Sequence, residues 1–298
     1  MKEKWNLGLR FDQNSPIKEA DLSDKQIQAI KESARRDVSV EIRTELKKTV
    51  EEERMINRIN EAIKIFFDFY KLPPLTISAN SVHIVPIRKI KDESEGNGAY
   101  IRDGNIFFSR TEDINDFIQK ITHEIAHEIS HAQFTLYKDG ENNLFTEQKK
   151  GFRINTKANE GEVGRGFNEG MTELIADKIR LIYAEIAQLG TRRIETLANR
   201  LAYLPQILII EAVFNTINPN DYNEGFNLFA KAFITGDKKI YKIISDKFKE
   251  QGIKDGLKIL MSMGTTLTDA LQTAQQLGLI DATQKIEALV KEAEQTSN

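Results

Sequence analysis

The chain has 298 residues, 40% of them hydrophobic and 29% charged, with a formal net charge of −3. That length suffices for a substantial core, and a near-balanced charge without a long basic block argues against a nucleic-acid-binding surface. Cysteine is absent, which excludes disulfides, a thiol nucleophile and thiolate metal sites, so any metal must be held by His, Asp or Glu.

Met1 to Asn14 lacks an apolar run of signal-peptide length. The most apolar later stretch, Leu204 to Phe214, is broken by Glu211 and is too short to span a bilayer. The expectation is a cytoplasmic protein with no membrane span. Residues 1–30 are polar and weakly patterned, with helix-capping residues at Asp21 to Asp24. From Ser39 to Tyr70 the pattern is helical. Ile56, Ile59, Ile63 and Phe66-Phe67 recur at three- and four-residue steps, and Pro73-Pro74 stops the run. Leu75 to Pro86 favours strands through Thr76, Ile77, Val82, Ile84 and Val85. After a polar loop, Lys91 to Asn97, the runs Ala99-Tyr100-Ile101 and Ile106-Phe107-Phe108 flank Arg102-Asp103-Gly104-Asn105, a hairpin turn. His83 lies in this sheet region and reads as a structural histidine.

The next helix is expected from Glu112 to Ala132. Ile114, Phe117, Ile118, Ile121, Ile125 and Ile129 fall in one stripe of it. Inside it stands His123-Glu124-Ile125-Ala126-His127, an H-E-x-x-H run. Two imidazoles four residues apart share one helix face and can bind one zinc ion, and the glutamate beside them can act as a general base on a metal-activated water. Both histidines lie about 180° from the centre of the apolar stripe, at about 100° per residue, where a core histidine would not sit. His131, eight residues after His123, reads as a solvated or supporting helix residue.

Residues 133–167 read as a polar connection, with Gly151 to Lys157 and Glu162 to Phe167 pairing around Asn159-Glu160-Gly161. A helix follows from Asn168 to Leu189, with Met171, Leu174, Ile175, Ile179, Ile182 and Ile186 on its buried face, and Gly190 ends it. Beyond it the chain reads as helices over 191–216, 222–235, 237–251, 253–262, 266–276 and 281–295, separated by Asn218-Pro219-Asn220-Asp221 and glycines 236, 252 and 278. The class is α+β, divided as a helical segment over 1–70, a core over 71–190 and a helical subdomain over 191–298.

A catalytic zinc needs a third protein ligand and an open position. Asn-Glu-Gly occurs at 159–161, 168–170 and 223–225, and the middle copy alone has a further acid one turn on, Glu173 after Glu169. Together, His123-Glu124-x-x-His127 and Asn168-Glu169-Gly170-Met171-Thr172-Glu173 resemble the gluzincin metallopeptidases. Thermolysin-like members carry Asn-Glu-x-x-Ser-Asp there and aminopeptidase-like members Asn-Glu-Gly. The resemblance spans residues 75–190. It implies a zincin-like core, zinc held by His123, His127 and Glu169, Glu124 as general base, and a peptide or protein substrate. Glu173 is then a supporting carboxylate or the alternative metal ligand, with Asp177 as its helper, since Glu173-Leu-Ile-Ala-Asp177 also resembles the Glu-x-x-Ala-Asp of membrane-associated zinc peptidases. Tyr183, Tyr203 and Tyr222 are candidates for the oxyanion donor, and the edge around Asn97 to Tyr100 for pairing with an extended peptide. The alternative is a non-catalytic binding or regulatory protein of that fold, with a structural zinc.

Overall fold

A computed structural model describes residues 45–72, 77, 79–85, 99–102, 105–110, 113–138, 144–156, 161–190 and 203–296. The expected capping residues at 21–24, the 39–44 end of the first helix, the loop at 91–97, the residues around Glu160 and the helix start at 191–202 lie outside them. The fold is α+β and mostly helical, and the described strands form two small sheets. Among the described residues no helix is long and apolar enough to cross a membrane. The chain clusters into two compact units that do not follow chain order. One holds the described residues up to Ile129 and those from Ile175 to Gly190, and the other holds Ser130–Leu174 and the described residues from Tyr203 onward.

The first unit begins with helix α1, Val50–Phe69. Thr49 opens it as a capping box: its hydroxyl accepts from Glu52 N–H, and Glu52 returns a bond to Thr49 N–H. The apolar spacing read from the sequence is the buried face, with Met55, Ile56, Ile59, Ile63, Phe66 and Phe67 all nearly inaccessible. Strands β1 (Val82–Val85), β2 (Ala99–Arg102) and β3 (Asn105–Ser109) form a sheet of order β1-β3-β2. The expected hairpin is present: β2 and β3 pair antiparallel, with Arg102 opposite Asn105. β2 lies at the sheet edge. β3 also pairs with β1, in parallel, and Val82, Ile84, Ile106 and Phe107 are fully buried, as strands covered on both faces require. His83 is structural, as expected. Its ring stacks on Phe107 at 4.9 Å and its Nδ1 lies 2.9 Å from Glu45 Oε2.

Arg110, just past β3, makes a two-pronged contact with Glu52, Nε to Oε1 and Nη2 to Oε2, each at 2.8 Å, and Nη2 also donates to Lys47 O. Burial pushes the Glu52 carboxyl up, and the bonds from Arg110 and Thr49 outweigh it, holding it below its ordinary 4.5. A depressed carboxylate pKa contributes stability that is present above the unfolded value and lost as pH falls through the folded one. Glu52→Gln is therefore expected to be less stable than the parent at pH 7 by about 1 kcal/mol, the scale of one capping or charged hydrogen bond. The gap should close below pH 4.5. Urea unfolding at pH 7 and in acid checks this, and a gap that persists unchanged in acid refutes it.

Helix α2, Ile114–Glu128, completes this part of the unit and packs against β2 and β3. Asp113 caps it, its carboxylate accepting from Asn115 N–H. Phe117, Ile118, Ile121, Ile125 and Ile129 are its buried residues, and Ile114 is half-buried.

The second unit contains strands β4 (Ala132–Lys138), β5 (Leu144–Lys150), β6 (Arg153–Thr156) and β7 (Gly161–Val163), an antiparallel meander in chain order. The expected pairing around 159–161 is the β6–β7 hairpin, with Asn155 opposite Glu162. The β4–β5 hairpin is a correction: the sequence reads there as a polar connection, and Ala132 as the end of a helix. The alternation of Gln133 and Thr135 with Phe134 and Leu136 is a strand pattern, but its partner Thr146-Glu147-Gln148-Lys149-Lys150 carries no apolar residue, and pairing of seven residues with seven supplies what local propensity does not.

Helix α3, Arg165–Ile186, follows. Then come α4 (Leu204–Ile217), α5 (Tyr222–Thr235), α6 (Lys239–Glu250), α7 (Gly256–Met261), α8 (Leu267–Gln276) and α9 (Ile280–Thr296), within a residue or three of the sequence reading except at the start of α4, where the helix expected over 191–216 is interrupted by Tyr203 in the left-handed conformation. Asp221 caps α5, and Gly236 ends it at φ +73°. Phe152, Phe167, Phe214, Phe226, Phe229 and Phe233 form the aromatic core of this unit, with Phe152 and Phe167 stacked at 4.5 Å.

Candidate metal centre

His123 and His127 project from α2 one turn apart. Their ring centroids are 4.8 Å apart and the planes are nearly perpendicular, at 85°. Both are half-buried, unlike the isoleucines of the same helix. The difference follows from periodicity: residues 118, 121, 125 and 129 share the sheet-facing side, and residues 123 and 127 share another. Glu124 is half-buried and has no hydrogen-bond or ion-pair partner among the described residues.

The third residue of the group comes from α3. His123, His127 and Glu169 each offer one ligand atom, and these atoms all lie within 4.8 Å of one another. Ligand atoms on one tetrahedral zinc stand about 3.4 Å apart, given metal–ligand distances of about 2.1 Å. With separations of at most 4.8 Å, an ion would draw these atoms together by no more than about 1.4 Å, within the range of small rotations of imidazole and carboxylate. Two neutral imidazoles and one carboxylate also suit a borderline-soft divalent ion in their chemistry. Glu173 lies outside this group.

Why Glu169 is held where it is can be traced residue by residue. Asn168 is almost fully buried, and its Oδ1 accepts the Phe152 N–H at 3.0 Å. That bond anchors the β5–β6 turn, where Gly151 has φ +57° and a Cβ would meet Asn168 and Phe233. Gly170 approaches α4 so closely that a Cβ would lie 2.7 Å from Ile210 Cδ1 and 2.9 Å from Gln206 Cβ. At the start of α3, Gly164 N–H donates to Met261 O and Gly166 N–H to Met263 O, which satisfies donors that a helix N-terminus leaves open. Asn168 and Gly170 thus have packing roles, and the residue between them carries the carboxylate.

The two acids of α3 are not solvated helix carboxylates. Glu169 is 7% exposed and Glu173 fully buried. The sequence places them opposite the apolar face of their helix, yet residues 166–176 are buried all round. A charge in such surroundings is retained only where it is paired, hydrogen-bonded or bound to a metal.

No protein-family model, curated protein or solved structure matches the chain. The reading of the site therefore stands on its geometry.

Two sequence readings are corrected here. His131 is not a helix residue: α2 ends at Glu128, with Ile129 as its C-cap. His131 leads into β4. Its N–H donates to Phe233 O, its carbonyl accepts from Gly151 N–H, and its ring lies against Gly236. It is a strut of the second unit. The second correction concerns Tyr222, whose hydroxyl donates to Glu211 Oε1 at 2.8 Å and so is already engaged. Tyr183 is buried, and Tyr203 is the left-handed cap of α4.

One residue escaped the sequence reading. Arg180 on α3 is 1% exposed, lies 3.6 Å from Asp177 Oδ1 through Nη2, and donates from Nη1 to Thr122 Oγ1 at 3.4 Å. Its signal was faint, one of two cations, with Lys178, beside the apolar position Ile179.

Proposed function

We propose that this protein is a zinc-dependent metallopeptidase of the gluzincin type, hydrolysing peptide bonds. The observation that carries the proposal is the group of His123, His127 and Glu169, which joins an H-E-x-x-H helix to a buried carboxylate of a second helix. Three ligands among the described residues fit a catalytic site, which keeps a position open, better than a structural site, which takes four.

Bound there, zinc would lower the pKa of a water molecule toward neutrality and polarise a carbonyl oxygen. The rest is the work of the chain's own residues. Glu124 takes a proton from the attacking water at a carboxylate oxygen and returns it to the leaving amine. Its lack of a competing partner among the described residues leaves that carboxylate available. His123 and His127 would hold the ion through ring nitrogens.

The purified full chain is expected to hold one zinc per molecule by elemental analysis, and a chelator should abolish its hydrolysis of a peptide library. Glu169→Gln should weaken zinc more than Glu173→Gln, because losing a ligand costs more than losing its neighbour. The reverse order would make Glu173 the ligand, with Asp177 as its helper. Absence of bound zinc in the parent chain would overturn the proposal.

A further inference from the structure

Arg180 is a permanently charged group in a nearly inaccessible position. Removing such a charge from water is costly unless good partners surround it. Both of its described polar contacts are informative. Asp177, one turn earlier on α3, supplies a carboxylate at 3.6 Å, and its side chain is 20% exposed. Thr122 Oγ1, on α2, accepts from Nη1 at 3.4 Å. The direction is fixed, since a guanidinium only donates. The Thr122 proton is used elsewhere: the hydroxyl lies 2.7 Å from Ile118 O and 3.0 Å from Gln119 O. Thr122 is itself fully buried and immediately precedes His123.

We infer that Arg180 is a positioning residue for the metal centre, tying α3 to α2 at the residue next to His123. The inference rests on the metallopeptidase reading above. Glu169 and Arg180 share one unbroken helix, eleven residues apart. A helix is stiff over that distance, about 16 Å at 1.5 Å per residue. Pinning Arg180 to Thr122 therefore restrains where the Glu169 carboxylate stands relative to His123 and His127. The lock is directional. The guanidinium is a rigid planar fork, and an ammonium at the same position is a point charge on a flexible stem without that fixed geometry. A purely apolar contact would hold the helices together without fixing their register.

Loss of a group that orients metal ligands typically weakens metal binding by about 10–100-fold. Zinc affinity of the full chain, by competition with a chromophoric chelator, is the main readout. The visible absorption of the cobalt(II)-loaded chain, which reports ligand geometry, is the second. Thr122→Val keeps shape and removes the acceptor, and Thr122→Ser keeps the acceptor. We expect Thr122→Val and Arg180→Met to bind zinc at least about tenfold more weakly and to shift the cobalt bands. Thr122→Ser should match the parent, and Arg180→Lys should fall between. Circular dichroism identifies any variant that fails to fold. If Arg180→Met does, the Thr122 pair decides. A folded Thr122→Val with parental affinity and cobalt spectrum overturns the inference and leaves the metallopeptidase reading intact. A parent chain that binds neither zinc nor cobalt removes that reading, and this inference with it.

Discussion

His123→Ala and His127→Ala are each expected to take bound zinc from one ion per chain to a trace after dialysis. The roughly 10–16 kcal/mol of a protein zinc site is shared among its ligands, so removing one of three forfeits about 3–5 kcal/mol, or about two to four orders of magnitude in affinity. The half-buried position of both rings makes the fold tolerant of the change. Neither ring fills the isoleucine face of α2, so no core cavity opens. His131→Ala is the internal control. Its backbone carries the contacts to Phe233 and Gly151, and its ring contacts Gly236. It should retain zinc whatever it costs in stability. Full zinc in either alanine variant of the pair would refute the three-residue site.

Much of the fold was legible because it is periodic. The stripe of α2 gave its buried face and set His123 and His127 apart from it, since one angular step per residue sorts a helix into sides. Tyr222–Thr235 was read to the residue because Asp221 and Gly236 punctuate it chemically. The β4–β5 hairpin was hidden because its pairing is between residues far apart in character, Phe134 with Gln148 and Leu136 with Thr146. Such strands are specified by their partner rather than by their own composition. The end of α2 was misplaced for a related reason: Ile129, Ser130 and His131 carry no glycine or proline stop signal, and the turn is made by tertiary bonds to Phe233 and Gly151.

The site was legible in its residue types and not in its surroundings. Sequence spacing put Glu169 and Glu173 one turn apart, but their burial comes from what packs on both sides of α3, which no window of sequence contains. The same holds for Arg180, which gains meaning only beside Thr122, 58 residues earlier. The N-terminal helix has a similar lesson. A chain truncated near Leu72 would lose Ile56, Ile59, Ile63, Phe66 and Phe67 from the first unit, together with the Glu52 partner of Arg110. Tests of activity therefore belong with the full chain.

Glu124→Gln is expected to retain zinc, to unfold at the parental temperature and to lose hydrolysis of a peptide library by about 10²- to 10⁴-fold, the usual contribution of a positioned general base. Glutamine matches glutamate in shape and offers no carboxylate to take the proton. Metal retention follows because Glu124 is outside the group of His123, His127 and Glu169. Parental stability follows because its carboxylate has no ion-pair or hydrogen-bond partner to lose among the described residues. The variant thus separates catalysis from metal-supported folding, which the histidine variants do not. Loss of activity with zinc and melting temperature unchanged gives Glu124 the base role. Undiminished cleavage in Glu124→Gln would refute that role. A zinc-loaded parent that cleaves nothing across the library would favour the non-catalytic alternative, in which the same three residues hold the metal for a binding or regulatory fold.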